Sequence, residues 1–223
     1  MHRFFVKLKY LFSFSIFPFH YCKLCGCLNV KLICDDCIKN LNFSKIKENN
    51  GLSSSIDKLY AGFDYVNPLV KMLICYKYKK QQSLKWALGY LLHLVIKDIA
   101  HDIDYIIPVP VHKKRRKERG YDHILLLLDY YIITDATNII RKDIVVKTSY
   151  HQPQMGLTEV ERNQNLHGTF KITQNVANKN ILVVDDVYTT GATLDEVSRI
   201  LKDAGAKNVY ACVLLRKEPY VNE

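Results

Sequence analysis

The sequence predicts an α/β fold: a mostly parallel sheet flanked by helices, with a small cysteine module ahead of it. Three observations carry this. Short, wholly apolar runs such as Ile181 to Val184 and Val209 to Leu215 read as strands buried on both faces. Segments of helical spacing alternate with them. Five of the seven cysteines crowd into Cys22 to Cys37, ahead of the first such run. The 223 residues, 48% hydrophobic and 24% charged, supply one ordinary core plus a small appendage.

Taken in order, residues 1–43 hold an aromatic lead-in and the cysteine module, and 44–55 form a polar linker with Glu48-Asn49-Asn50-Gly51 and a serine run. Residues 56–223 form the α/β domain. Leu59 to Val66 reads as a strand, and Pro68 suits the first turn of a helix, where its missing N–H is no loss. Val70, Leu73, Ile74 and Lys77-Tyr78 continue that helix, and Leu84 to Ile96 makes a second. Asp104 to Pro110 is a short strand ending in Pro-Val-Pro. Ile124 to Leu128 is too apolar for a loop and places a helix over Gly120 to Ile133. Asp143 to Lys147 is a strand, and His151 to Gly168 a long polar loop. Asn180 to Val184 is a strand that sets Asp185 and Asp186 at its carboxyl end. Leu194, Val197, Ile200, Leu201 and Ala204 line one helix face, with Gly205 closing the helix. Cys75 and Cys212, each among apolar neighbours, read as core residues.

The segment from Asn180 to Thr193 carries the sharpest chemistry. Gly191 lets the backbone approach an anion, Thr189, Thr190 and Thr193 offer hydroxyls, and the first amides of the helix, from Ala192 on, favour a phosphate. Two carboxylates repel a phosphate, so Asp185 and Asp186 address sugar hydroxyls or Mg²⁺. A ligand with a phosphate at one end and a diol close by satisfies every group. Lys113 to Arg119 places six cations among seven residues directly after a strand. Such a run attracts a pyrophosphate or a nucleic acid backbone, with Lys113, Lys114, Arg115 and Arg116 the candidates for the latter, and on a helix Arg115 and Arg119 share a face.

The cysteines form two Cys-x-x-Cys pairs, Cys22/Cys25 and Cys34/Cys37, a spacing that builds a tetrahedral thiolate site for structural zinc. Cys27 is an alternative to Cys25. The net charge of +10 favours anionic partners: nucleic acid, phosphorylated ligands or an acidic membrane surface. Met1 to Lys9 is basic and Tyr10 to Phe19 apolar, which imitates a signal peptide, but Pro18 interrupts the run and no small-residue cleavage site precedes Cys22. It is too short to span a bilayer. The expectation is a cytoplasmic protein without a membrane span, with a peripheral place at the inner membrane face left open.

Asp185-Asp186-Val-Tyr-Thr-Thr-Gly-Ala-Thr193 resembles the phosphoribosyl-pyrophosphate motif of type I phosphoribosyltransferases. Pro108-Val-Pro110 with Arg115-x-x-x-Arg119-Gly120-Tyr121 resembles a signature of the ComF family of competence proteins, and Gln154, Leu157, Arg162, Asn165, Gly168 and Phe170 match its downstream block. The paired cysteines match its zinc module. The resemblance implies a phosphoribosyltransferase-like domain that binds phosphoribosyl pyrophosphate with Mg²⁺. Arg119 and Gly120 border the pyrophosphate in that reading, and Arg162 on the long loop steadies it as a leaving group. At the level of process the resemblance implies handling of incoming single-stranded DNA in natural competence, with a protein partner in the competence machinery. Two readings follow: a pyrophosphate-releasing transferase, or a non-catalytic nucleic-acid-binding or regulatory module on the same fold. Where the family shows Asn-Gln, this chain has Asp122-His123, which puts a carboxylate near the expected pyrophosphate.

Overall fold

A computed structural model of the chain describes residues 20–29, 31–41, 54–135, 138–149 and 167–217. Arg162, the rest of the long loop from 150 to 166, the lead-in Phe4 to Phe19 and all of the 44–55 linker except Ser54 and Ser55 lie outside them.

The centre is a four-stranded sheet in which every pair is parallel. Its strands are β3 (Lys58–Asp64), β4 (Tyr105–Pro108), β7 (Asn180–Tyr188) and β8 (Asn208–Arg216), in the spatial order β3-β8-β7-β4. Two short antiparallel ribbons accompany it: β1 (His20–Tyr21) with β2 (Leu28–Asn29), and β5 (Val145–Lys147) with β6 (Phe170–Ile172). The helices are α1 (Asp35–Asn40), α2 (Leu69–Tyr78), α3 (Lys85–Ile96), α4 (Lys113–Arg119), α5 (His123–Asp135) and α6 (Ala192–Asp203).

The strands are apolar almost throughout because helices cover both faces. Alternation along β7 shows it. Leu182 and Val184 join the core formed with α2, α3 and α5, whereas Ile181 and Val183 join the core formed with α6 and the β5–β6 ribbon. Cys212 is fully buried in the first of these, while Cys75 is only half-buried. Cys22, Ile33 and Cys34 belong to that same first core, so the cysteine segment packs onto the sheet domain.

Two departures from the sequence reading have physical causes. β7 does not stop at Val184. Its pairing with β4 ends at Pro108↔Val184, but pairing with β8 continues to Tyr188↔Arg216. Asp185 and Asp186 therefore lie inside a strand on one side and beyond the neighbouring strand's end on the other. The basic run is also ordered as α4, started by the His112 Nδ1 that accepts from Lys114 N at 3.2 Å and ended by Gly120 at φ +86°. The α5 helix begins only at His123.

The chain crosses from β3 at one edge to β4 at the other, and β7 and β8 later fill the gap. The segments leaving the carboxyl ends of β4 and β7 thus emerge side by side. In open parallel sheets that is where ligands gather.

Candidate ligand site and cysteine cluster

The turn after β7 is built for a close approach. Gly191 adopts φ +82°, in the left-handed region that side chains resist, and a Cβ there would strike the Tyr188 phenol. Thr190 Oγ1 accepts from Ala192 N at 3.5 Å as α6 begins. Thr189 is exposed, Thr190 and Thr193 are half-buried, and Ala192 is buried at the helix start. The α6 helix directs its first amides toward this turn, the arrangement that favours a phosphate.

The two aspartates do not act as a pair. Successive residues of a strand face opposite ways, and Asp186 points into the core beneath α2 and α5. Its Oδ2 lies 2.6 Å from Lys77 Nζ and 3.1 Å from His123 Nε2. Burial works against the Asp186 charge, but Lys77 and His123 outweigh it and hold the carboxyl well below its usual range. Burial lowers the His123 pKa despite that neighbour and favours the neutral ring beside the carboxylate. Asp185, half-buried on the opposite face, is pushed up to about 7 by burial and by the Asp186 charge, against the pull of Lys77 and Lys147. Asp185 is the carboxylate left for a ligand.

On the β4 side, Arg115 and Arg119 are the half-buried residues of α4, so they share its inner face as the spacing predicts. Lys113, Lys114 and Arg116 are exposed. Arg119 Nη1 is buried without an acceptor among the described residues, and its guanidinium stands 5.6 Å from the Tyr78 ring. Asp122 turns out to be a helix cap: its Oδ1 accepts from Leu125 N at 3.2 Å at the start of α5. The expected carboxylate beside the pyrophosphate is engaged by its own helix.

Sequence reasoning missed Lys77 and Lys147. Lys77 reads as one more position of an amphipathic helix, and only the fold brings it to β7. Lys147 ends β5 with its ammonium 4.9 Å from the Phe170 ring. Burial and the nearby Arg115 lower its pKa, and Asp185 opposes them. Such a lysine has a use for an anion.

At the other end of the chain, the sulfurs of Cys22, Cys25, Cys27 and Cys34 all lie within 4.8 Å of one another. Cys25 Sγ and Cys34 Sγ are 3.7 Å apart, and four sulfurs at about 2.3 Å from one zinc ion stand about 3.8 Å apart. Leu24 N and Cys34 N donate to Cys22 Sγ, and Cys37 N donates to Cys34 Sγ, each at 3.4 Å. Burial opposes the Cys22 thiolate, yet the donated amides bring its thiol down to about 6. Cys27 is pushed up to about 12, first by the Cys25 thiol and then by burial. So many sulfurs cannot all ionise without a cation, and four soft donors suit zinc. The tightest four include Cys27, which the paired-spacing reading leaves aside; Cys37 also faces Cys34, Cys25 and Cys22.

Residues 132–221 match the family model described as phosphoribosyl transferase domain. The parallel sheet, with segments leaving the carboxyl ends of β4 and β7 side by side, agrees with that match and gives the chain a phosphoribosyltransferase-like fold. Over most of its length the chain is similar to competence proteins of the ComF type. It is 29% identical to competence protein F of Haemophilus influenzae over 216 residues, 91% of this chain and 87% of that one. It is 25% identical to competence protein ComFC of Bacillus subtilis, over 88% of this chain and 78% of that one. DNA utilization protein YhgH of Escherichia coli is 27% identical over 161 residues, 69% of each chain. Among the described residues no helix is long and apolar enough to cross a membrane.

Proposed function

We propose that the chain binds phosphoribosyl pyrophosphate at the carboxyl edge of β4 and β7 and acts in handling incoming single-stranded DNA in the cytoplasm during natural competence. The observation that carries this is one convergence: a glycine-hinged threonine turn at a helix start and an arginine face lie at the ends of adjacent strands, with Asp185 between them. In this reading Thr189, Thr190, Gly191, Ala192 and Thr193 hold the 5′-phosphate. Asp185 addresses the ribose hydroxyls or the Mg²⁺ that accompanies the ligand and neutralises its pyrophosphate. Arg119 and Gly120 border the pyrophosphate, Lys147 supplies charge nearby, and Arg162 is assigned to steady the pyrophosphate as leaving group. Asp186 acts from behind, through Lys77 and His123. The domain division at 43 and 55 and a protein partner in the competence machinery belong to the same proposal.

The test is thermal unfolding with and without phosphoribosyl pyrophosphate and Mg²⁺. A ligand at about 100 times its Kd stabilises by about 2.7 kcal/mol, a shift of a few degrees for a chain of this size. The shift should vanish in Asp185→Asn. No shift in the native protein would sink the ligand assignment.

A second reading, the non-catalytic module, is favoured by the turned-away Asp186, which leaves one carboxylate where the motif offers two. Pyrophosphate release with an added acceptor would support transfer; binding without release would support the module.

A further inference from the structure

Tyr78 is 66% exposed at the end of α2, so its ring offers an open face to solvent. It is not loosely held. Tyr76 donates its hydroxyl proton to His123 O at 2.8 Å, and Tyr121 donates its own to Tyr76 O. These two bonds staple the last turn of α2 to the α4–α5 connection, and so set Tyr78 against Arg119. An open aromatic face then stands with the Arg119 guanidinium 5.6 Å from the ring centroid, the buried Arg119 Nη1 being left to the ligand site. The ring's open face fits an unstacked base, and the strand's phosphates fall to the exposed cations around it.

The surroundings continue the pattern. Lys79 and Lys80 follow the ring, with Lys80 at φ +56° as the chain leaves the helix, and both are exposed. Lys113, Arg116 and Lys117 are exposed on α4, a helix only about 10 Å long. None of these five cations is ion-paired among the described residues.

We infer that Tyr78, held in place beside Arg119, is a stacking site for single-stranded DNA, and that Lys79, Lys80 and the exposed cations of α4 carry the backbone on either side. This rests on the DNA-handling part of the proposed function and adds where and how the strand is gripped. Single strands are favoured over duplex because only an unstacked base can lie on the ring.

Fluorescence anisotropy on the full chain tests it, with a labelled DNA strand and an abasic strand of equal length. The base-bearing strand should bind more tightly. Tyr78→Ala should weaken it about tenfold, toward the abasic level, and Tyr78→Phe should retain binding. An unchanged melting temperature, expected for so exposed a side chain, guards against misfolding. Strand binding that ignores Tyr78→Ala but falls in Lys113→Ala, Arg116→Ala would overturn the stacking site and leave the DNA reading standing. Preference for an RNA strand would overturn the choice of DNA. No binding of either DNA strand would overturn the DNA reading, and this inference with it.

Discussion

Asp185 and Asp186 are identical side chains one residue apart, and the fold drives their protons in opposite directions. Asp186 meets an ammonium at 2.6 Å and stays ionised; Asp185 meets burial and its neighbour's charge and rises to about 7. An unfolded aspartate titrates near 4. Between about pH 4 and 7 the folded state therefore holds a proton that the unfolded chain has released. Stability falls as pH rises across that window: the Asp185 contribution is full below about pH 4 and gone above about 7. A Mg²⁺ ion or a ribose diol donating to the carboxylate selects the ionised form. The affinity for phosphoribosyl pyrophosphate with Mg²⁺ should thus rise as pH increases toward about 7, by up to about tenfold per unit, and level off above it. Titration calorimetry from pH 5.5 to 8.5 on the native protein and on Asp185→Asn checks this. The rise should disappear in the variant, and a rise that persists there would assign it to the ligand's own phosphates.

At the scale of elements, the helix–turn boundaries set the site, and two glycines hold them in the left-handed region for different reasons. Gly120, at φ +86°, ends α4 with no atom within 4 Å of an added Cβ. Gly191, at φ +82°, opens α6 with the Tyr188 ring in the way. Gly120→Ala should cost only the backbone strain, about 1–2 kcal/mol. Gly191→Ala adds the clash, so it should cost more and abolish the ligand-induced stabilisation. Urea unfolding of both variants ranks them, and equal costs would show that the Tyr188 ring simply swings aside. The turn at Gly191 was legible in the sequence because glycine and threonine between an apolar strand and an amphipathic helix leave few alternatives. The α4 face was legible too, since Arg115 and Arg119 are one turn apart. Lys77, Lys147 and Tyr78 were not. Their neighbours in the fold are 109, 38 and 41 residues away in sequence, at Asp186, Asp185 and Arg119. Spacing within a helix or strand carries no trace of contacts at that range.

At the scale of the whole molecule, what matters is how the cysteine segment is joined to the sheet. Two Cys-x-x-Cys pairs ahead of a polar linker read as a separate module, yet Cys22, Ile33 and Cys34 are buried in the same core as α2, α3 and α5. Local spacing shows that sulfurs gather, but only packing shows what they lean on. If zinc holds that segment in shape, its loss uncovers part of the main core as well as the short β1–β2 ribbon and α1. Stripping zinc with a strong chelator should then lower the melting temperature of the sheet domain itself, in a single transition. The readout is the near-ultraviolet signal of Trp86 in α3, which belongs to the domain and not to the segment. A module that folds alone would give a different result: the segment would melt first while the Trp86 transition stayed where it was. The same experiment on Cys27→Ser and Cys37→Ser separates the ligand sets. With Cys22, Cys25, Cys27 and Cys34 as the closest four, Cys27→Ser should lower the zinc-bound melting temperature more than Cys37→Ser. The reverse order would return the site to the paired spacing of Cys22, Cys25, Cys34 and Cys37.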